Sequence, residues 1–276
     1  RVDAYLDSIE KEIDYVAEAF KDKKLNTIYI GGGTPSQLSL SNLQKIFTQI
    51  NNVWGNRVVA EEVTLECNPD DITDEFAQAI SLLPINRVSM GAQTFNDDRL
   101  KFLHRRHRAD EVKTAVSRLQ KYGIKNISID LIYGLPGETE QRWAQDLQQA
   151  VSLDVEHISA YHLIYEEGTP LYKMLQQHSV SQVDEDSSLN FFSTLIDTLS
   201  AAGYEHYEIS NFCKPGMYSR HNTSYWQGIP YLGCGPSAHS FDGGSREWNV
   251  ASLNQYLSSV AQGQRQHETE QLDTRT

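Results

Sequence analysis

Residues 25–35 read LNTIYIGGGTP, a short apolar run that ends directly in Gly31, Gly32 and Gly33 and then Thr34. Three successive residues without a Cβ let a ligand or a neighbouring loop approach the backbone closely, with N–H groups available at the carboxyl end of a strand. A tight strand-to-helix turn has the same composition, so the run by itself supports both readings.

Later segments repeat the arrangement, and the repetition decides the fold. Residues 63–66 end in Cys67-Asn68-Pro69, and 87–90 end in Gly91-Ala92-Gln93. Residues 127–132 carry Asp130 and end in Tyr133-Gly134-Leu135-Pro136-Gly137, and 157–163 are followed by Glu166-Glu167-Gly168. Polar residues at the carboxyl ends of several separate strands point to one shared pocket.

Helical periodicity fills the intervals. It opens over residues 4–20, where Tyr5, Ile9, Ile13, Val16 and Phe20 recur at three-to-four-residue spacing. Ser39 or Ser41 caps a helix carrying Leu43, Ile46, Phe47 and Ile50, and Thr73 caps one with Phe76, Ala79, Ile80 and Leu83 on a single face. Helices over 110–122, closed by Gly123, and over 139–151 continue the alternation. Repeated β-α crossover units imply a parallel sheet with right-handed connections. Five strands are too few for an eight-stranded barrel and suit a partial one. A doubly wound open sheet would draw its ligand contacts from strands at one switch point, whereas every strand here offers candidates.

After a helix over 186–202, closed by Gly203, the rhythm changes. Residues 204–212, YEHYEISNF, read as an aromatic edge strand. Residues 215–241, rich in Gly, Pro, Tyr, Trp and His, read as a structured loop or small sheet that lines or covers a pocket. Helix returns over 249–262, followed by a polar tail. Arg1 stands in mid-pattern and HETEQLDTRT closes without a completed element, so both ends, Arg1 and Thr276, are expected to belong to a longer chain.

The 276 residues are 39% hydrophobic, enough to bury a large core. With 24 Lys and Arg against 37 Asp and Glu, the formal charge is −13, and such a surface repels a phosphate backbone. Nucleic acid is therefore not an expected partner. Cys67, Cys213 and Cys234 form no CxxC pair, so neither a disulfide framework nor a local metal knuckle is indicated, and a reducing cytoplasmic setting is favoured. No apolar run approaches the 18 residues or so of a transmembrane anchor, and the opening residues form an amphipathic helix rather than a signal segment.

The glycine run matches neither GxxxxGK[ST] nor GxGxxG, which removes the two commonest nucleotide-binding solutions. Glu66, at a strand end beside Asn68, could pair with an amine or ribose hydroxyl, or receive a helix N-terminus. Twelve residues after Gln93, Arg105 lies in HRRHR, a local basic spot that suits a carboxylate ligand or a solvated helix start. Asp130 sits inside an apolar strand, where a carboxylate needs a partner or a ligand. His221-Asn222-Thr223-Ser224-Tyr225-Trp226 joins a potential iron ligand to two large flat side chains, although aromatic clusters are usually packing.

Taken together, GGGTPS at 31–36, ECNPD at 66–70, SMGAQTF at 89–95, HRRHR at 104–108, DLIYGLPGET at 130–139, AYHLIYEEGTPLY at 160–172, HNTSYW at 221–226 and GCGPSAHS at 233–240 carry a resemblance. The chain resembles the radical S-adenosylmethionine (SAM) family that contains oxygen-independent coproporphyrinogen III oxidase and a related heme-chaperone branch. The resemblance covers nearly the whole chain.

It implies a partial (βα)6 TIM-like barrel over residues 1–185, with the five strands as its second to sixth. Residues 186–276 would form a helix plus small aromatic-rich accessory elements covering the pocket and leading into a further C-terminal domain. It implies that Gly32, Gly33 and Thr34 hold the methionine amino group of SAM. It likewise implies that Glu66, Gln93, Arg105 and Asp130 contact its amino acid, ribose or carboxylate parts. The family's CxxxCxxC loop for a [4Fe–4S] cluster, and the first strand, would precede Arg1. The three cysteines present cannot replace that loop, so these 276 residues alone are expected not to cleave SAM reductively.

HNTSYW resembles the heme-chaperone branch, with His221, Asn222, Tyr225 and Trp226 as the matching heme-binding candidates and His221 as the iron ligand. That branch implies heme as cargo and transient contact with membrane-bound respiratory heme acceptors, from the cytoplasm or the inner face of the membrane. The oxidase branch instead implies decarboxylation of substrate propionates by a 5′-deoxyadenosyl radical.

Overall fold

The computed structural model describes residues 2–20 and 22–272; Arg1 and Thr276, the expected internal ends, lie outside the described residues. In chain order the elements begin α1 Val2–Phe20, β1 Leu25–Ile30, α2 Leu40–Trp54, β2 Val58–Cys67, α3 Asp74–Ile80 and β3 Arg87–Gln93. They continue α4 Asp97–Phe102, α5 Ala109–Lys121, β4 Asn126–Tyr133, α6 Glu140–Ser152, β5 His157–His162, α7 Pro170–Gln176 and α8 Glu185–Ala201. The last are β6 Glu205–Glu208, β7 Asn211–Cys213, α9 Arg220–Trp226, β8 His239–Phe241, β9 Ser245–Asn249, α10 Leu253–Ala261 and β10 His267–Gln271. One sheet runs β1-β2-β3-β4-β5-β7-β6 and another β10-β9-β8.

The chain divides into two compact units. One takes the described residues of Arg1–Tyr29, Leu38–Glu62 and Arg220–Thr276; the other takes Ile30–Gln37 and Val63–Ser219.

In the second unit β2, β3, β4 and β5 pair in parallel, and β7 and β6 close the edge antiparallel. Register and the two-residue strand period sort the side chains onto two faces. Leu65, Val88, Met90, Ile127, Ile129, Leu131, Ile158 and Phe212 are buried on one face, and each contributes roughly 1.5–3 kcal/mol of burial. The other face is polar. Thr64, Arg87 and Asn126 stand in one row, Glu66, Ser89, Ser128 and His157 in the next, and Asp130 opposite Ser159.

The helices of this unit are amphipathic: α5 buries Val112, Ala115, Val116 and Leu119, and α6 buries Trp143, Leu147 and Ala150. Thr73, Thr139 and Asp184 cap α3, α6 and α8 by accepting an N–H in the first turn. Asp146 of α6 accepts the Thr94 hydroxyl at 2.6 Å and the Phe95 N–H at 2.9 Å, which fixes the chain just after β3.

The first unit has its own core of Ile9, Ile13, Ala17, Trp54, Tyr256 and Val260. At its centre Glu12 of α1 is buried, and its carboxylate accepts the Gly235 N–H at 2.8 Å, the Asn249 amide at 2.5 Å and the Tyr256 hydroxyl at 2.6 Å. Arg265 lies 3.4 Å from the same carboxylate.

Four local expectations change. Residues 204–212 are not one strand but part of a short hairpin, β6 and β7, with a register shift between His206 and Glu208. The loop-like stretch holds the seven-residue helix α9. Residues 245–249 are strand, with helix only from Leu253, and the polar tail forms β10.

Candidate functional site

Two side-chain clusters carry chemistry, one in each unit. The first gathers at the carboxyl ends of the second unit's strands. Gly32 and Gly33 adopt φ of 79° and 67°, and a Cβ on either would meet open space, so backbone shape rather than crowding calls for glycine there. The Gly32 N–H donates to Glu66 Oε2 at 2.8 Å. Behind it the Ser36 hydroxyl donates to Asp71 at 2.6 Å and accepts the Asn68 N–H at 3.2 Å, tying the glycine run to the end of β2. The Thr34 carbonyl closes the run by accepting the Gln37 N–H at 3.1 Å.

Gln93 ends β3 in the left-handed region at φ 66°, an unusual conformation for a residue with a side chain. A Cβ on Gly91 would lie 2.7 Å from Gln93 Nε2 and 2.9 Å from Arg105 Nη2, so both side chains cross the space this glycine leaves. Arg105 Nη2 donates to Asn68 Oδ1 at 2.9 Å and to the Gly91 carbonyl at 3.1 Å. Among the described residues no carboxylate forms an ion pair with Arg105, whereas Arg106 pairs with Asp70 and Asp71 and Arg108 with Asp97. Within HRRHR, Arg105 is thus an arginine without a carboxylate ion pair among the described residues. His107 is buried against the Ala92 carbonyl at 3.1 Å and steadies the same strand end.

Asp130 lies on the polar face with the Ser89 hydroxyl 3.5 Å from each carboxylate oxygen. Desolvation pushes its pKa up to about 6, opposed by Ser159 and the Arg87 guanidinium and reinforced by Glu66. An acid poised there is ionised by a modest gain of polar contacts, as a ligand hydroxyl would supply.

The second cluster lies in the first unit around α9. Glu62 of β2 accepts the backbone N–H groups of Arg220 at 2.8 Å and His221 at 2.9 Å, which sets the start of the helix. The His221 ring stacks on Tyr29 at 5.0 Å between centroids and 21° between planes. Its Nδ1 is 2.8 Å from Thr27 Oγ1, and its Nε2 is 2.8 Å from the Tyr225 hydroxyl. Tyr225 in turn meets Tyr231 edge-on at 4.7 Å. Asn222 is half-buried, while Tyr225, Trp226 and Ile229 are 47%, 66% and 42% exposed, an outward apolar surface for so short a segment. Sequence reading missed Thr27 and Tyr29 as members of this cluster; their two-residue spacing, which puts both on one face of β1, was the available signal.

The cysteines do not extend either cluster. Cys67 and Cys213 are buried, Cys234 is half-buried, and desolvation pushes all three thiols up, Cys213 to about 11. Among the described residues no group of three or more His, Cys, Asp or Glu is placed to hold a metal ion, so these residues do not fit a [4Fe–4S] cluster. The strand-end cluster does fit SAM, since it offers an open backbone cradle, an unpaired guanidinium and two carboxylates.

A partial βα barrel is the fold of radical SAM proteins, and residues 1–150 match the radical SAM superfamily. The chain belongs to that superfamily. Among characterised proteins it is related to the heme chaperone HemW, at 37% identity to that of Bacillus subtilis over 95% of this chain and 69% of that protein. The HemW of Lactococcus lactis is 38% identical over 94% of this chain and 67% of the relative. In fold the chain resembles coproporphyrinogen III oxidase (HemN) from Escherichia coli, with a TM-score of 0.83 over 99% of this chain and 65% of that one, at 22% identity. The chain thus spans about two thirds of the length of these relatives.

Proposed function

We propose that this chain is the SAM-binding and heme-binding part of a heme chaperone that delivers heme to respiratory proteins. The observation that carries the reading is at α9: an imidazole stacked on Tyr29 and touched by Tyr225, in a segment whose Tyr225 and Trp226 are exposed aromatic side chains of the kind that cover a macrocycle. The relationship to proteins named heme chaperones supports it.

In the strand-end cluster, Gly32, Gly33 and Thr34 hold the methionine amino group with the Glu66 carboxylate. Arg105 takes the methionine carboxylate, and Gln93 and Asp130 the ribose. The described residues would hold SAM but not the [4Fe–4S] cluster, which would supply the electron for its cleavage. The residues present would orient the cofactor. In the heme cluster, His221 supplies the iron ligand, Tyr225 and Trp226 cover the porphyrin, and Asn222 lies beside them. The cytoplasmic face of the membrane is where such a protein meets its acceptors.

Anaerobic hemin titration of the full-length protein, followed in the Soret region, tests this reading. Saturable binding that weakens in His221→Ala supports it. Absence of binding, together with release of CO2 from coproporphyrinogen III, overturns it in favour of the oxidase reaction.

A further inference from the structure

A neutral imidazole has one donor nitrogen and one acceptor nitrogen, and the partners decide which is which. His221 lies between two hydroxyls, Thr27 Oγ1 on Nδ1 and Tyr225 on Nε2, each at 2.8 Å. A phenol is far more acidic than an aliphatic alcohol and is the stronger donor. The Tyr225 O–H therefore donates to Nε2, and Nδ1–H donates to the Thr27 hydroxyl.

The consequence is geometric. Nε2 carries the lone pair, and it faces the hydroxyl of Tyr225, a residue 47% exposed. Nδ1 points to β1, and Tyr29 covers one flat face of the ring at 5.0 Å. The single lone pair a metal could use is occupied by a hydroxyl whose own residue is 47% exposed and packed edge-on against Tyr231. The Tyr225 ring sits one helical turn from His221 on a seven-residue helix, so it can move without disturbing the tautomer set by Thr27.

We propose that Tyr225 is a displaceable cap on His221 and Thr27 its tautomer lock, so that heme iron enters by taking Nε2 from the Tyr225 hydroxyl. This rests on the heme-binding reading above, gives Tyr225 a second role within it and adds Thr27 as a positioning residue. Iron replaces a hydrogen bond at Nε2, the phenol O–H swings off the imidazole while the Tyr225 ring stays to cover the porphyrin, and Nδ1–H stays on Thr27. A hydrogen bond from the imidazole's far nitrogen raises the basicity of the ligating one and fixes the ring, and losing such a partner costs about 10- to 100-fold in metal affinity.

Hemin titrations of the full-length protein, with resonance Raman of the iron–histidine mode in the ferrous state, test the proposal in four variants. Tyr225→Phe removes the competing hydroxyl and keeps the ring, so affinity rises by about two- to tenfold, the worth of one neutral hydrogen bond. Thr27→Val, a near isostere, weakens binding by roughly tenfold or more and lowers the iron–histidine frequency, and Thr27→Ser restores both. Circular dichroism melts confirm that each variant folds.

If His221→Ala leaves heme affinity and spectrum unchanged, the heme reading of this site fails. If His221→Ala weakens binding while Tyr225→Phe and Thr27→Val bind as wild type with an unchanged iron–histidine mode, the ligand stands and the cap and lock are refuted.

Discussion

Replacing Asp130 with Asn is expected to make the protein more stable, at neutral pH only. Asp130 carries a pKa pushed up to about 6, from an ordinary 3.8, chiefly by desolvation. A carboxyl raised in the folded state favours its protonated form there. Its contribution is therefore most favourable below the unfolded pKa and is lost as pH rises through the folded one. The difference of about two units corresponds to about 3 kcal/mol. The side chain is only partly buried, and solvent screening lowers this to about 1–2 kcal/mol. Asn resembles the protonated acid in shape and never ionises. In urea unfolding at pH 3.5, below the unfolded pKa, the two proteins should therefore differ little, and at pH 7.5 the Asn variant should be the more stable by that amount. Equal stabilities at pH 7.5, or a gain of the same size at both pH values, would refute the claim that burial of the ionised acid is what raises its pKa. The same variant should bind SAM more weakly, so that stability and binding move in opposite directions.

Gly91→Ala places a methyl within 3 Å of Gln93 and Arg105 in a backbone that is not left-handed, so the fold should hold while SAM affinity falls roughly tenfold or more by calorimetry. Glu12→Gln leaves at least one of the three donors around that side chain facing an amide N–H. It should cost about 1–3 kcal/mol in denaturant unfolding followed by circular dichroism, whereas Tyr256→Phe should cost about 1 kcal/mol.

The alternation of strands and helices in the second unit was legible because each element is long enough to repeat its own period, as in α5 and α6. Asp130 was legible for a related reason: a carboxylate between isoleucine and leucine stands out from its neighbours. The start of β2 was not, since Glu61 and Glu62 break the apolar run and Glu62 is retained there for the N–H groups of Arg220 and His221. Helix α9 is under two full turns, too short for periodicity to declare itself. The bond from Thr27 to His221 joins residues 194 positions apart, and nothing local announces it. HRRHR looked like a block of charge because the aspartates that neutralise it, Asp70 and Asp71 in particular, lie far upstream in sequence.

Glu12 also sets an order of events. Its partners at Gly235, Asn249 and Tyr256 follow it by 223, 237 and 244 residues. During synthesis at about 5–20 residues per second, the acid waits roughly 12–50 s for the last of them. Over that interval the second unit, whose main segment Val63–Ser219 is continuous, can complete its sheet. The apolar stripe of α1, with Ile9, Ile13 and Val16, meanwhile has no α10 to cover it. A nascent chain with an early amphipathic helix and a late partner offers that stripe to trigger-factor-like holdases and to other nascent chains on the same message. Yield of folded protein should therefore depend on how quickly translation passes residue 256.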